Sequence, residues 1–230
     1  MSSPPEISAQ KKFSRSYPAN KNVAIKLTNR TGTVTVEGWN KPEIKISAFM
    51  ETSATNIVPQ NLSGTIIINL VKDNQGNTEV GSVNFVIKVP FHSSVNIETM
   101  MGNLSVTNIR GGLVRAHITT DGDITLTNIS AENVIAENVM GDIFFDGELH
   151  SGGTYRFTTT SGNINLHIPS NSSFRLVATA PSTRNISLGA FSGANMSSIS
   201  NGRRVVGKVG DGSATMTVTS QRKGISFIRR

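Results

Sequence analysis

Asp121, Asp123 and Asp142 are the side chains in this sequence best placed by type and spacing to do chemistry. Glycoside hydrolysis needs two carboxyl groups about 5–9 Å apart across the scissile bond. Each of the three aspartates stands beside a turn glycine, and stacked turns lie about 4.8 Å apart, within reach of such a pair. The same carboxylates would suit Ca²⁺, which takes roughly six to eight oxygens. The sequence argues against both uses. Asn103, Asp123, Asp142 and Asn163 occupy the same place in a repeated motif, and a position that accepts Asn as readily as Asp is a turn former. The Gly-Gly-rich nonapeptide of calcium-binding β-rolls is missing. His92, His117, His150 and His167 lack zinc-type spacing,; His117 and His167 follow strand residues and read as structural side chains. No Gly-x-Ser-x-Gly elbow, phosphate loop or dinucleotide fingerprint occurs. The chain has no cysteine, which removes thiol catalysis, Cys-ligated zinc and disulfides. No catalytic residue, metal ligand or cofactor is expected, the reading is non-enzymatic, and no binding residue is singled out.

The elements that would carry these turns are strands. Apolar residues alternate with polar ones at Val23–Leu27, Val34–Val36, Ile44–Ile46 and Val83–Val89, the period of a half-buried strand. Thr65-Ile-Ile-Ile-Asn-Leu-Val71 is continuous enough to predict a strand buried on both faces, closed by a turn at Asp73-Asn-Gln-Gly76,.

An internal repeat organises them. Gly102-Asn-Leu-Ser-Val106 recurs as Gly122-Asp-Ile-Thr-Leu126, Gly141-Asp-Ile-Phe-Phe145 and Gly162-Asn-Ile-Asn-Leu166, with a degenerate copy at Arg184-Asn-Ile-Ser-Leu188. The period of about 20 residues is that of a solenoid. Each copy has an upstream strand, at Val95–Ile97, Val114–Ala116, Val134–Ala136, Tyr155–Phe157 and Phe174–Leu176. One such coil cannot bury its apolar face alone, so stacking should align Leu104, Ile124, Ile143, Ile164 and Ile186 in one interior column and Val106, Leu126, Phe145, Leu166 and Leu188 in another. Ser105, Thr125, Asn165 and Ser187 would face outward. Phe144, Phe145, Tyr155 and Phe157 read as core stacks rather than a sugar platform. The fold class is therefore all-β: a β-solenoid, single-stranded β-helix-like, with coils of about 20 residues and capping strands at both ends.

The expected organisation is a disordered tail over residues 1–16 and one domain over 17–230. The domain divides into N-terminal strands and cap (17–90), regular repeats (91–190), a loop (191–212) and a C-terminal cap (213–230). Ser, Thr and Asn fill about 70 of the 230 positions, well above ordinary usage. The formal charge is +7, but basic residues crowd the two ends, and Glu98 to Glu148 is acidic. Nucleic-acid binders interleave cations with aromatics on one surface, so nucleic acid is not an expected partner. No run approaches the ~18 apolar residues of a transmembrane segment, and Met1–Lys12 carries no apolar signal region.

These residues resemble a bacterial family of β-strand-repeat proteins classed as candidate adhesins, whose domain is otherwise of unknown function. The likeness rests on Asn29-Arg-Thr-Gly-Thr-Val-Thr-Val-Glu-Gly-Trp39 and Lys41-Pro-Glu-Ile-Lys-Ile46. It continues through Thr120–Leu126, Thr160–Leu166 and Gly224-Ile-Ser-Phe227, and covers the chain from about residue 17. It implies a right-handed or similar β-solenoid on an exported or membrane-tethered chain, located in the cell envelope or outside the cell. The leading expectation is an envelope-associated, adhesin-like scaffold that binds a glycan or another envelope component through an extended polar β-surface. A bactofilin-like cytoplasmic polymer, a glycan-active enzyme and an envelope-stress regulator are the alternatives.

Overall fold

The structure, a computed structural model, describes residues 11–19, 23–193 and 195–230. Strand β1 (Lys11–Pro18) is followed by a two-strand coil, β2 (Ala24–Thr31) and β3 (Val34–Trp39), then by β4 (Glu43–Met50) and β5 (Gln60–Leu62). The next coil is β6 (Thr65–Asn69) and β7 (Val83–Pro90), interrupted by the short helix α1 (Leu70–Asp73). The coils β8 (Ser94–Met101) with β9 (Leu104–Thr107), β10 (Leu113–Asp121) with β11 (Ile124–Ile129), β12 (Asn133–Met140) with β13 (Ile143–Gly147), and β14 (Thr154–Ser161) with β15 (Ile164–Ile168) follow without interruption. The chain ends with β16 (Phe174–Thr179) and β17 (Ile186–Ser187), the hairpin β18 (Asn195–Ile199) and β19 (Arg204–Val209), and a last coil, β20 (Ala214–Ser220) and β21 (Ile225–Arg229).

The first strand of each coil joins a back sheet and the second a front sheet, and within each sheet the coil strands pair in parallel. In-register pairing turns the sequence alternation into interior columns. In the front sheet Phe85, Val34, Leu104, Ile124, Ile143, Ile164, Ile225 and Ile186 align, and in the back sheet Ile68, Leu27, Ile97, Ala116, Ala136, Phe157, Val218 and Ala178. All are buried, and each large aliphatic member contributes about 1.5–3 kcal/mol by leaving water. The back column narrows to Ala116 and Ala136, and in the interior the Phe145 ring lies 5.0 Å from that of Phe157. The fold is the expected β-solenoid of stacked parallel sheets.

Stacking order departs from chain order at both ends. Coil β6/β7 lies outside β2/β3, which therefore contacts β8/β9 on its other side. At the far end β20/β21 lies between β14/β15 and β16/β17. Residues 213–230, expected as a terminal cap, thus form an internal coil, because their apolar phase matches the columns on either side. Antiparallel strands close the ends: β4 on β7 and β1 on β4 in the front sheet, and β5 on β6 and β18–β19 on β16 in the back sheet. Short or charged edges of this kind discourage pairing with another chain.

Other local expectations change. Of the tail expected over 1–16, residues 11–16 lie instead in β1; Tyr17 is buried, Phe13 packs on the core, and Arg15 stacks 5.1 Å from the Tyr17 ring. Residues 1–10 lie outside the described residues. The expected loop over 191–212 contains the β18–β19 hairpin. Residues 65–71 are not one strand buried on both faces: β6 alternates, and Leu70 and Val71 enter α1, whose N-cap is the Asn69 side chain.

Candidate functional site

The repeated Gly-Asn/Asp corner is structural. Gly141, at φ 116°, sits where a Cβ would collide with the Gly122 carbonyl, so only glycine lets consecutive coils approach this closely. The following side chain then bonds across coils. Asn103 Oδ1 accepts from the Asp123 N–H at 3.0 Å, Asp123 Oδ1 from the Asp142 N–H at 2.7 Å, and Asp142 Oδ1 from the Asn163 N–H at 2.7 Å. Asn and Asp serve this ladder equally, since each needs one acceptor oxygen. Asp121 lies two residues before the ladder member Asp123, in register with Met101 and Met140. One oxygen of each of Asp123 and Asp142 is thus engaged by the backbone of the next coil.

A second column, not anticipated from the sequence, satisfies the carbonyls of the same corners from inside. Asn29, Thr99, Asn138, Thr159 and Ser220 are buried. Asn138 Nδ2 donates to the Gly122 and Gly141 carbonyls at 3.0 and 2.9 Å, and Ser220 Oγ donates to the Gly162 carbonyl at 2.8 Å. Ile118 takes the equivalent place in β10. The signal was a polar residue at the inward phase of five back strands, β2, β8, β12, β14 and β20.

The histidines do not converge. His117 stands on the back face with Nδ1 3.8 Å from Glu98 Oε2, while Arg115 lies 3.9 Å from the same oxygen. His150 Nε2 meets Ser130 Oγ at 2.9 Å, and the His150 backbone N–H donates to the Tyr155 hydroxyl, which donates in turn to the Ala131 carbonyl. Burial pushes the Tyr155 phenol above its ordinary value, so it stays a donor. His167 packs edge-on against Phe144 at 4.8 Å. Among the described residues no three His, Asp or Glu side chains gather as a metal site, and no helix is long and apolar enough to cross a membrane.

What the fold does assemble is a face. On the outer side of the front sheet Ser14, Ser47, Val86, Thr35, Ser105, Thr125, Phe144, Asn165, Ser226 and Ser187 form one register-aligned row across ten strands. Phe144 belongs to this row, half exposed, whereas Phe145, Tyr155 and Phe157 are core. The expectation that all four are core stacks is corrected for Phe144 by strand parity, because Phe144 shares the outward phase of Thr125.

Trp39, also outward, ends β3 on the same face. Its Nε1 donates to the Glu43 carbonyl at 2.8 Å, and the Lys41 and Lys88 ammonium groups lie 4.9 and 5.7 Å from its ring centre. Lys88 is paired with Glu37 at 2.9 Å. Beside the indole opens a cavity of about 280 Å³ lined by Ala19, Trp39, Asn40, Lys41, Pro42, Pro90, Phe91 and His92. Gly38 permits it, since a side chain there would strike Phe91 and the Asn108 carbonyl.

The family model described as Toastrack DUF4097 matches residues 6–224. The chain belongs to this family. No curated protein matches it in sequence. Among solved structures it is similar to a candidate cell-adhesion protein from Clostridium sporogenes, with TM-score 0.54 and 11% identity over 96% of this chain and all (100%) of that one. A candidate adhesin from Bacteroides fragilis gives TM-score 0.47 and 12% identity over 96% and 97% of the two chains. A candidate lipid-binding protein from Parabacteroides distasonis gives 0.38 and 11% over 96% and 98%. At such identities the likeness concerns the fold.

In this Toastrack chain charge is distributed unevenly over the two faces. The back face carries charged residues, among them Lys26, Arg115, Arg156, Glu98 and Glu137, in its outward columns. On the front face the row from Ser14 to Ser187 is uncharged, and the adjoining outward row carries Lys45, Lys88, Glu37 and Asp146. Asp211, the single acidic residue after Glu148, is held below its ordinary value by hydrogen bonds from Ser213 and stays ionised among the basic residues of the C-terminal part of the chain.

Proposed function

We propose that the chain is an envelope-associated, non-enzymatic scaffold of adhesin type that binds a repetitive polymer, a glycan first of all, through the outer face of its front sheet. The observation that carries this reading is the uncharged row from Ser14 to Ser187, in which hydroxyl and amide groups stand on every strand but those of Val86 and Phe144. Strands about 4.8 Å apart present these groups at a fixed period, so a polymer of similar repeat meets many weak hydrogen bonds in series. Aromatic groups at Trp39 and at the Phe144–His167 pair add apolar contact on the same face. Antiparallel strands at both ends count against growth into a filament,.

The test is co-sedimentation of the full chain with insoluble cell-wall polysaccharide, beside a Thr125→Glu/Asn165→Glu variant. Exposed substitutions of this kind change stability by about 0.5 kcal/mol or less. The proposal expects the wild type to sediment with the polymer and the variant to remain in solution at unchanged melting temperature. Equal partition of the two would overturn it.

A further inference from the structure

We infer that the cavity beside Trp39 is a site for one anionic sugar residue, a pyranose ring carrying a carboxylate or a phosphate. The inference rests on the front face being a binding surface and specifies what its N-terminal end holds. The cavity, about 280 Å³, falls just below the roughly 300–1,000 Å³ of pockets for drug-sized ligands, which suits a single ring. Its walls are the faces and edges of Trp39, Phe91, Pro42 and Pro90, apolar surfaces against which the C–H face of a sugar packs. The indole is held in advance by its bond to the Glu43 carbonyl, so little side-chain freedom is lost when a ligand arrives.

The charge around the cavity selects the occupant. Lys41, Lys88 and Arg110, the last 5.3 Å from the Phe91 ring, outnumber Glu37 and Glu43. Glu37 is already occupied by Lys88. Among the described residues neither Lys41 nor Arg110 has a carboxylate partner. An ammonium resting over an exposed ring gains only about 0.5–1 kcal/mol, and a charge-assisted hydrogen bond to an anion is the stronger contact. Lys41 can therefore turn from the indole to a ligand carboxylate or phosphate, while Asn40 and His92 on the rim supply donors for hydroxyls. A second cavity, about 400 Å³ between Pro18, Val23, Ile44 and Ile66, is lined by no charged and no aromatic side chain and offers none of this.

Trp39 is the single tryptophan, so its emission reports this cavity alone. The full chain is titrated with a galacturonate trisaccharide, its fully methyl-esterified neutral form, glucose 6-phosphate and inorganic phosphate. The expected result is a saturable change with the trisaccharide or with glucose 6-phosphate, the responding probe identifying the anion. For a carboxylate site, the ester binds roughly fivefold more weakly, the scale of one exposed charge pair. Lys41→Gln should reduce binding of the responding probe by the same factor and leave the melting temperature unchanged. A flat emission with both anionic sugars, equal affinity of acid and ester where the acid binds, an unaltered Lys41→Gln titration, or an equal response to inorganic phosphate alone would overturn it. The Thr125→Glu/Asn165→Glu variant separates this claim from the wider one. It should bind the small probe normally even if polymer binding by the face proves absent.

Discussion

Ile164 and Ile186 open successive copies of the sequence repeat, yet Ile225 stands between them, paired in register with both. On the back sheet Met216 separates Tyr155 from Leu176 in the same way. The coil β20/β21, which follows all the others in sequence, is thus an interior layer of the stack, with a coil on either side.

An interior layer should be as sensitive as the middle of the stack. Ile225→Ala is expected to cost about 2–5 kcal/mol, like Ile143→Ala, because each empties a fully buried position. Urea unfolding followed by circular dichroism measures both. A loss at Ile225 of well under about 1 kcal/mol would mean that the coil is peripheral.

Ser220→Ala removes the side-chain donor to the Gly162 carbonyl at a buried corner. The expected cost is about 1–3 kcal/mol, the penalty for an unsatisfied buried acceptor. Chemical denaturation reads it directly, and a neutral substitution would show that the corner carbonyl finds another partner.

The corner ladder needs an oxygen, not a charge. Asp123→Asn should change stability by less than about 0.5 kcal/mol, whereas Asp123→Ala should cost about 1 kcal/mol for the lost bond to the Asp142 N–H. Paired thermal melts decide the matter; an Asn variant weaker than the Ala variant would assign the charge a separate role.

Tyr155 couples stability to alkaline pH. Burial raises its folded value above the ordinary 10.0, so on raising the pH the unfolded chain loses this proton first. The associated stability is complete below about pH 10 and is lost as pH climbs from there through the higher folded value. Tyr155→Phe should lose about 1–3 kcal/mol at neutral pH, from the unpaired His150 N–H and Ala131 carbonyl, and should also lose this part of the alkaline decline. Parallel slopes for wild type and variant above pH 10 would contradict the assignment.

The solenoid was legible because Leu104, Ile124, Ile143 and Ile164 carry the same phase in the same motif, and in-register parallel pairing follows from it. The order of layers was not legible, because every coil presents the same interior pattern and any two can stack. β1 was missed because Arg15 occupies the phase shared by Phe13 and Tyr17, which breaks the apolar alternation, although Arg15 itself stays exposed. For the candidate site, strand parity alone places Thr35, Glu37 and Trp39 on one outer face, and it separates Phe144 from Phe145. The cavity needed more, since Trp39 meets Pro90 and Phe91 only because β7, distant in sequence, pairs with β3.

The interleaved C-terminus bears on how the chain is made. Domains begin folding from the N-terminus during synthesis, and coils β8/β9 to β14/β15 can each add to the one before. β16/β17 cannot settle in the same manner, because the layer beneath it is still being translated or is held in the exit tunnel. Completion therefore waits until β20/β21 has emerged, and a nascent chain stalled before Ala214 exposes the upper edges of β14 and β15 to any passing strand. The window is brief, but it is when a chaperone would be needed most.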